Sequence, residues 1–313
     1  MGWSIDASNA SEKAHKQYID YALKFKEWVK QKKKKLELYS NLNQIYVEEY
    51  INDLKSQELS HDTIRLRILP IRMSANYMES LGYSNPLRRL KLRRTEPIQI
   101  KYMNDKDLFD FIKWLKENCS DIYPICLLQG FAGLRMLEAA YLREQDIDIE
   151  LRTIKIDKTS LHTPKTLYSY RTLPIGETIL NTIMSYMKNR KIIHTEGYLF
   201  LNNLGNTWTT DALGSKIKKA LNKFGKESGN KEIQKLSAKS FRKAFSTILD
   251  TNIKCNEKAI NMYLGHSGGS IRDTHYTGKD ITFLRTEIAD KIEEQFTLDH
   301  GQNHGQHKLA GII

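Results

Sequence analysis

Apolar residues recur at helical spacing from early in the chain. Tyr18, Tyr21, Ala22, Phe25, Trp28 and Val29 fall on one face of a first helix. The run Lys30 to Lys35, broken only by Gln31, closes it with positive charge that complements the helix dipole. A second helix runs from Asn43 to Lys55, with Ile45, Val47, Tyr50, Ile51 and Leu54 as its apolar positions. Ser60-His61-Asp62-Thr63 offers an N-cap for a third, whose apolar face is Leu66, Leu69, Met73 and Tyr77. Gly82 and Asn85-Pro86 end the unit. Residues 1–94 thus read as a small helical domain.

The pattern restarts at Asn104, which caps a helix through Leu108, Phe111, Ile112 and Leu115. An apolar helix from Ile122 to Phe131 ends at Gly133. Thr153-Ile154-Lys155-Ile156-Asp157 alternates like a strand, and Arg171-Thr172-Leu173-Pro174-Ile175 is a second candidate. Between them a polar segment with Lys158, His162 and Lys165 reads as a long hairpin loop. A short apolar run, Tyr198 to Leu201, precedes a turn at Asn202 to Asn206. Helices are expected at Thr209 to Phe224, Ser237 to Asp250, Glu257 to Leu264 and Thr282 to Phe296. The second unit, 98–297, is mainly α with a small antiparallel sheet. Residues 298–313 form a polar tail in which His300, His304 and His307 sit.

Charge sharpens this picture. The net charge of +12 over 313 residues favours a polyanionic partner. Arg88, Arg89, Lys91, Arg93 and Arg94 crowd together just before Pro97, where the composition changes. With 95–97 as the end of a basic linker, these five are suited to track a DNA backbone. No apolar run reaches the roughly 18 residues needed to span a bilayer, so no membrane partner is expected. Cys119, Cys126 and Cys255 are odd in number and widely spaced, which points to reduced thiols in a cytoplasmic protein and to no metal site.

The candidate chemistry is a series of cations ahead of one late tyrosine. Arg135 lies in Gly133-Leu134-Arg135, Lys165 in Pro164-Lys165-Thr166, and Lys239 and Arg242 in Lys239-Ser240-Phe241-Arg242. His266 lies in Leu264-Gly265-His266, and Tyr276 follows ten residues later. A phosphate diester between attack and departure carries extra negative charge, which fixed Arg, Lys and His donors stabilise. A tyrosine hydroxyl beside them can attack phosphorus and hold it as a covalent ester.

In order, flanking residues and spacing, these motifs resemble the tyrosine recombinase (phage integrase) family. The resemblance spans roughly residues 15–297. It implies a helical core-binding (SAM-like) domain followed by a catalytic domain with a three-stranded sheet, and site-specific cutting and rejoining of DNA through a 3′-phosphotyrosine, without cofactor. It makes Tyr276 the nucleophile and gives Arg135 and Arg242 the non-bridging phosphate oxygens. Lys165 becomes the acid for the departing 5′ oxygen, with Lys158 in the same loop as the alternative, and Lys239 and His266 become further donors. Lys239 stands where the family usually has histidine, and the gap from His266 to Tyr276 is one residue longer than usual. Asp146 matches a common aspartate of the family. The expected partner is double-stranded DNA, bound by a homotetramer on two duplexes, with a monomer or weak oligomer in its absence. The apolar stripe Ile281, Leu284, Ile288, Ile292 and Phe296 is expected to pack into a neighbouring protomer, as the resemblance implies, with packing on its own domain as the alternative. A Xer-like chromosome or plasmid resolvase, a catalytically inactive DNA-binding protein of the same fold and a type IB topoisomerase are the alternatives.

Overall fold

The computed structural model describes residues 12–32, 34, 39–92, 101–164, 166–190, 192–266 and 278–297. The chain divides into two compact units, Met1–Gln99 and Ile100–Ile313.

The first unit is built from α1 (Glu12–Gln31), α2 (Gln44–Ser56) and α3 (His61–Ser80). Two local side-chain caps fix its boundaries. Asn43 accepts the amide of Tyr46 at the start of α2, and Ser60 accepts that of Thr63 at the start of α3. Phe25, Trp28 and Tyr50 make an aromatic knot with centroids 5.1 to 6.1 Å apart, and the Trp28 indole N–H donates to Asp53 at 2.8 Å. Two of the lysines after α1 are tied down: Lys32 pairs with Asp53 and Lys34 with Glu49.

Two expectations change here. Ile45 is exposed, at the solvent side of α2. In α3 the buried face is Ile64, Ile68, Ile71 and Ala75, while Leu66 is exposed and Leu69, Met73 and Tyr77 only half-buried. The helix carries two apolar stripes, and the one richer in β-branched isoleucine packs inward. Leu87 and Leu90 are buried in the same core, so the exposed Arg88, Arg89 and Lys91 between and beyond them ride on the first unit's surface. Arg93 and Arg94 lie outside the described residues.

The second unit is organised around α5 (Tyr123–Phe131), every residue of which is buried. It packs against α4 (Asp105–Asn118), the short α6 (Met136–Ala140), α7 (Glu177–Asn189) and α9 (Lys239–Thr247). β1 (Ile147–Asp148), β2 (Thr153–Ile156) and β3 (Arg171–Pro174) form an antiparallel sheet in sequence order, with Ile156 opposite Arg171. α8 (Thr210–Glu227) is capped by Thr209, and α10 (Glu257–Leu264) by Asn256. α9 continues into a π-turn at Ile248–Asn252. α7 is absent from the sequence reading, although Ile179, Leu180 and Ile183 bury at helical spacing.

The C-terminal helices are α11 (Gly278–Leu284), a π-turn (Arg285–Ala289) and α12 (Asp290–Thr297). Four of the five stripe residues pack within their own unit. Leu284, Ile288, Ile292 and Phe296 are buried in the core of their own unit, and the Phe296 ring meets Phe131 at 5.3 Å. Glu293 fastens this end by accepting both the amide and the hydroxyl of Thr178 at the start of α7. An amphipathic stripe requires burial but does not say against which molecule, and here the chain's own α5 and α7 supply the surface.

Candidate active site

Three tight backbone features aim the cationic side chains. At the end of α5, Gly133 adopts φ +62°, and a Cβ there would meet Phe245 at 2.7 Å and Leu264 at 2.8 Å. The turn places Arg135 at the N-cap of α6, where its own amide donates to the Glu138 carboxylate at 2.9 Å. At the end of α10, Gly265 adopts φ +63°, closing a left-handed C-cap. His266 follows at once, its amide held by the Asn261 carbonyl at 3.0 Å. Lys239 is the first residue of α9 and Arg242 lies one turn on, so both sit toward the start of one helix.

Glu138 is the hub. Its side chain is 1% exposed and accepts from Arg135 Nη1 at 2.6 Å and from Arg171 Nη1 and Nη2 at 3.3 and 3.0 Å. Arg242 Nη1 lies 4.0 Å from the same carboxylate. Burial alone would raise the Glu138 pKa, but Arg171 first and then Arg135 outweigh it and bring it down to about 2. The acid therefore stays charged throughout the working pH range.

Arg242 is held by carbonyls at both sides of the site. Nη1 donates to Gly133 O at 2.5 Å, and Nη2 donates to Leu264 O. Burial, with the Arg171 and Arg135 charges, lowers its pKa to about 9, which leaves it cationic at neutral pH. His266 keeps an accessible ring. Partial desolvation first, and then Arg242, Arg135 and Arg171, hold its pKa below the ordinary imidazole value, so it is neutral at pH 7. One carboxylate thus gathers three guanidiniums beside a neutral imidazole, leaving a net positive cluster of preorganised donors. Such a site suits a phosphate group.

The sequence model of the phage integrase family matches residues 101–281. The chain belongs to that family. This phage integrase family member is a tyrosine-type site-specific recombinase. A curated relative, a XerC-like tyrosine recombinase of Caldanaerobacter subterraneus subsp. tengcongensis, is 24% identical over 89% of this chain and 78% of its own. The fold is similar to that of the Tn1549 transposon integrase in complex with a circular intermediate DNA, with a TM-score of 0.70 at 20% identity over 88% and 94% of the two chains. It is also similar to XerH site-specific recombinase bound to difH substrate, with a TM-score of 0.63 at 17% identity over 85% and 77%.

In this recombinase Arg135, Arg242 and His266 come together, and Lys239 stands exposed at the start of the helix that carries Arg242. Lys165 and Tyr276 lie outside the described residues. The loop around Lys165 is anchored on both sides. Ser160 donates to Glu196 at 2.6 Å and meets the Tyr198 hydroxyl at 2.9 Å, whereas Ser169 accepts from Arg135 at 3.3 Å and contacts Thr166 at 3.1 Å. Lys158, before the first anchor, is exposed. Asp146 is buried and caps Arg143, whose amide and guanidinium both donate to it, so it braces the turn before β1.

Glu138, Ser169 and Arg171 are the members that sequence reasoning left out. Glu138 had a local signal: an acid three residues after Arg135, in the spacing of a capping box, amid small and apolar residues. Arg171 had another. It shares a strand face with Leu173, so an inward-facing arginine was legible from the alternation.

Proposed function

We propose that Arg135, Lys165, Lys239, Arg242, His266 and Tyr276 form the catalytic set, acting on double-stranded DNA. The Tyr276 hydroxyl attacks the scissile phosphorus, releasing its proton to solvent, as the bond to the 5′ oxygen breaks, leaving a 3′-phosphotyrosine and a free 5′ hydroxyl. Lys165 gives its proton to the departing oxygen. Arg135 and Arg242 hold the non-bridging oxygens, with Lys239 and the neutral His266 as further donors. A second transesterification by another 5′ hydroxyl regenerates the tyrosine, so the bond energy is kept in the ester and no nucleotide cofactor is consumed. The observation that carries this reading is the convergence of Arg135 and Arg242 on one buried carboxylate, with His266 beside both arginines.

Exchange between two duplexes breaks four strands and so calls for four nucleophiles, which favours a homotetramer on two duplexes. The exposed Arg88, Arg89 and Lys91, with Arg93 and Arg94, are proposed to meet the DNA backbone, making residues 1–94 a core-binding domain that works with the catalytic domain at 98–297. The cytoplasm, on DNA, is the expected location. Integration of a mobile element is the favoured subtype. Xer-like resolution is the second reading, favoured by the XerC-like relative that matches 89% of the chain.

The test is a covalent-trapping assay on nicked duplex DNA. Wild-type protein gives an SDS-resistant complex, whereas Tyr276→Phe gives none and binds DNA within about threefold of wild type. A Tyr276→Phe protein that still forms the adduct would assign the nucleophile elsewhere, and wild-type protein that binds but never forms it would make this an inactive DNA-binding protein.

A further inference from the structure

Arg171 is the most buried charge of the site and belongs to none of the roles above. Its side chain is 0% exposed, at the first residue of β3, directly after the loop that carries Lys165. It holds three separate pieces of backbone or side chain at once. Nε donates to the Tyr263 carbonyl at 2.9 Å, at the end of the helix that delivers His266. Nη1 donates to the Ser169 carbonyl at 2.9 Å, at the end of the Lys165 loop. Nη1 and Nη2 reach the two oxygens of Glu138 at 3.3 and 3.0 Å.

The last of these contacts decides what is left for Arg135. A carboxylate and a guanidinium that are both free frequently form a fork of two parallel hydrogen bonds. Here Oε2 is taken by Arg171 Nη2 and by the Arg135 amide. Only Oε1 meets the Arg135 guanidinium, through Nη1 alone. Nε and Nη2 of Arg135 donate to nothing among the described residues, and the side chain is 33% exposed. One edge of Arg135 is therefore anchored and the other remains open to the site.

We infer that Arg171 is a positioning residue: by occupying Glu138 it prevents that carboxylate from capturing Arg135 as a closed pair, and so keeps the Arg135 fork available to the scissile phosphate. Without Arg171, Glu138 is a buried anion with the Arg135 guanidinium at 2.6 Å and that of Arg242, tied to two carbonyls, farther off at 4.0 Å, and it rotates to take the nearer one with both oxygens. Arg135 then stays in place but its donors point at protein instead of phosphate. The loop end at Ser169 and the carbonyl at Tyr263 lose their common tether in the same change. This inference rests on the proposed contact of Arg135 with phosphate.

The experiment is single-turnover cleavage of nicked duplex DNA by full-length protein, on a normal phosphodiester and on a methylphosphonate at the scissile position. The methylphosphonate is neutral, so its transition state has one negative charge less and asks less of Arg135. Arg171→Met is expected to cleave the normal substrate about 10²-fold more slowly, the loss typical of one preorganised donor, with DNA affinity within about threefold. On the methylphosphonate the slow-down shrinks to under about tenfold. Arg171→Met/Glu138→Leu, which removes the capturing carboxylate as well, is expected to outpace the single variant about tenfold. A double variant no faster than the single, or an equal slow-down on both substrates, overturns the inference. If Arg171→Met does not fold, Arg171→Lys carries the same comparison, because one ammonium pairs with Glu138 without covering both oxygens. Arg135→Ala is run in parallel. Normal cleavage by Arg135→Ala would sink the phosphate contact itself, whereas slow Arg135→Ala beside wild-type rates in the Arg171 variants would sink only the role of Arg171.

Discussion

Glu138→Gln keeps the shape of the hub and deletes its charge, which makes its energetic role measurable. In the folded protein the carboxyl titrates at about 2 against an ordinary value of 4.5, because Arg171 and Arg135 outweigh the opposing effect of burial. A carboxyl whose folded pKa is depressed contributes stability that is complete above its unfolded pKa and disappears as pH falls toward the folded one. At roughly 1.4 kcal/mol per tenfold, the charge is worth about 3 kcal/mol at neutral pH. By pH about 3.5 about 1.4 kcal/mol of that has gone, because the unfolded state has already bound the proton. Glutamine leaves the fully buried Arg171 without its anion, at a cost of about 3 to 5 kcal/mol at pH 7. Urea unfolding followed by circular dichroism, from pH 7 to about pH 3.5, gives the difference between wild type and Glu138→Gln. All other carboxylates are common to both proteins and cancel. The gap should be widest at pH 7 and narrow by about 1.4 kcal/mol across the series. A gap that stays constant, or that widens in acid, refutes the depressed pKa and with it the view of Glu138 as a charged hub.

Arg242→Ala should slow cleavage about 10²- to 10³-fold, and Arg242→Lys should recover little, since one ammonium cannot hold the Gly133 and Leu264 carbonyls together; near-wild-type rates from the lysine variant would discard the fork. Gly265→Ala forces a side chain onto φ +63°, with its Cβ 2.7 Å from the Tyr168 carbonyl. A loss of about 1 to 3 kcal/mol in urea unfolding is expected, together with slower cleavage as His266 shifts; unchanged stability would mean that the turn relaxes freely. Lys165→Ala should be slow on a phosphodiester and recover on a bridging 5′-phosphorothiolate, because a thiolate leaves without a proton. Rescue of Lys158→Ala instead would move the acid to the start of the loop.

Where structure is local, the sequence was a good guide. Asn43, Ser60, Asn104 and Thr209 mark helix starts because each cap acts within three residues of its own position. Gly133 marked the end of its helix for the same reason. Arg135, Arg242 and His266 were picked out by motifs whose order and spacing resemble those of the family, and each of these motifs is itself local, beside a turn or on the first turn of a helix. The misses are long-range. The phase of α3 depends on which of two apolar stripes the rest of the unit accepts. The stripe of α11 and α12 fixes burial, but contacts with segments far off in sequence, Thr178 and Phe131 among them, determine that it packs on its own unit. Arg171 escapes a composition-based reading because arginine is ordinarily a surface residue, and its burial is tolerable only with Glu138 opposite.

Gly133 carries a consequence of a different kind. Its missing side chain lies between Phe245, on the helix of Arg242, and Leu264, the residue two before His266. The spacing of the three segments that bear Arg135, Arg242 and His266 is therefore set by the thickness of a bare backbone, much as a feeler gauge sets a gap. Such a gauge has no play in the tightening direction and little in the other. A methyl at 133 would have to be matched by trimming 245 or 264, so these three positions share one fixed volume, and a change in any of them is read by all three cations or donors at once.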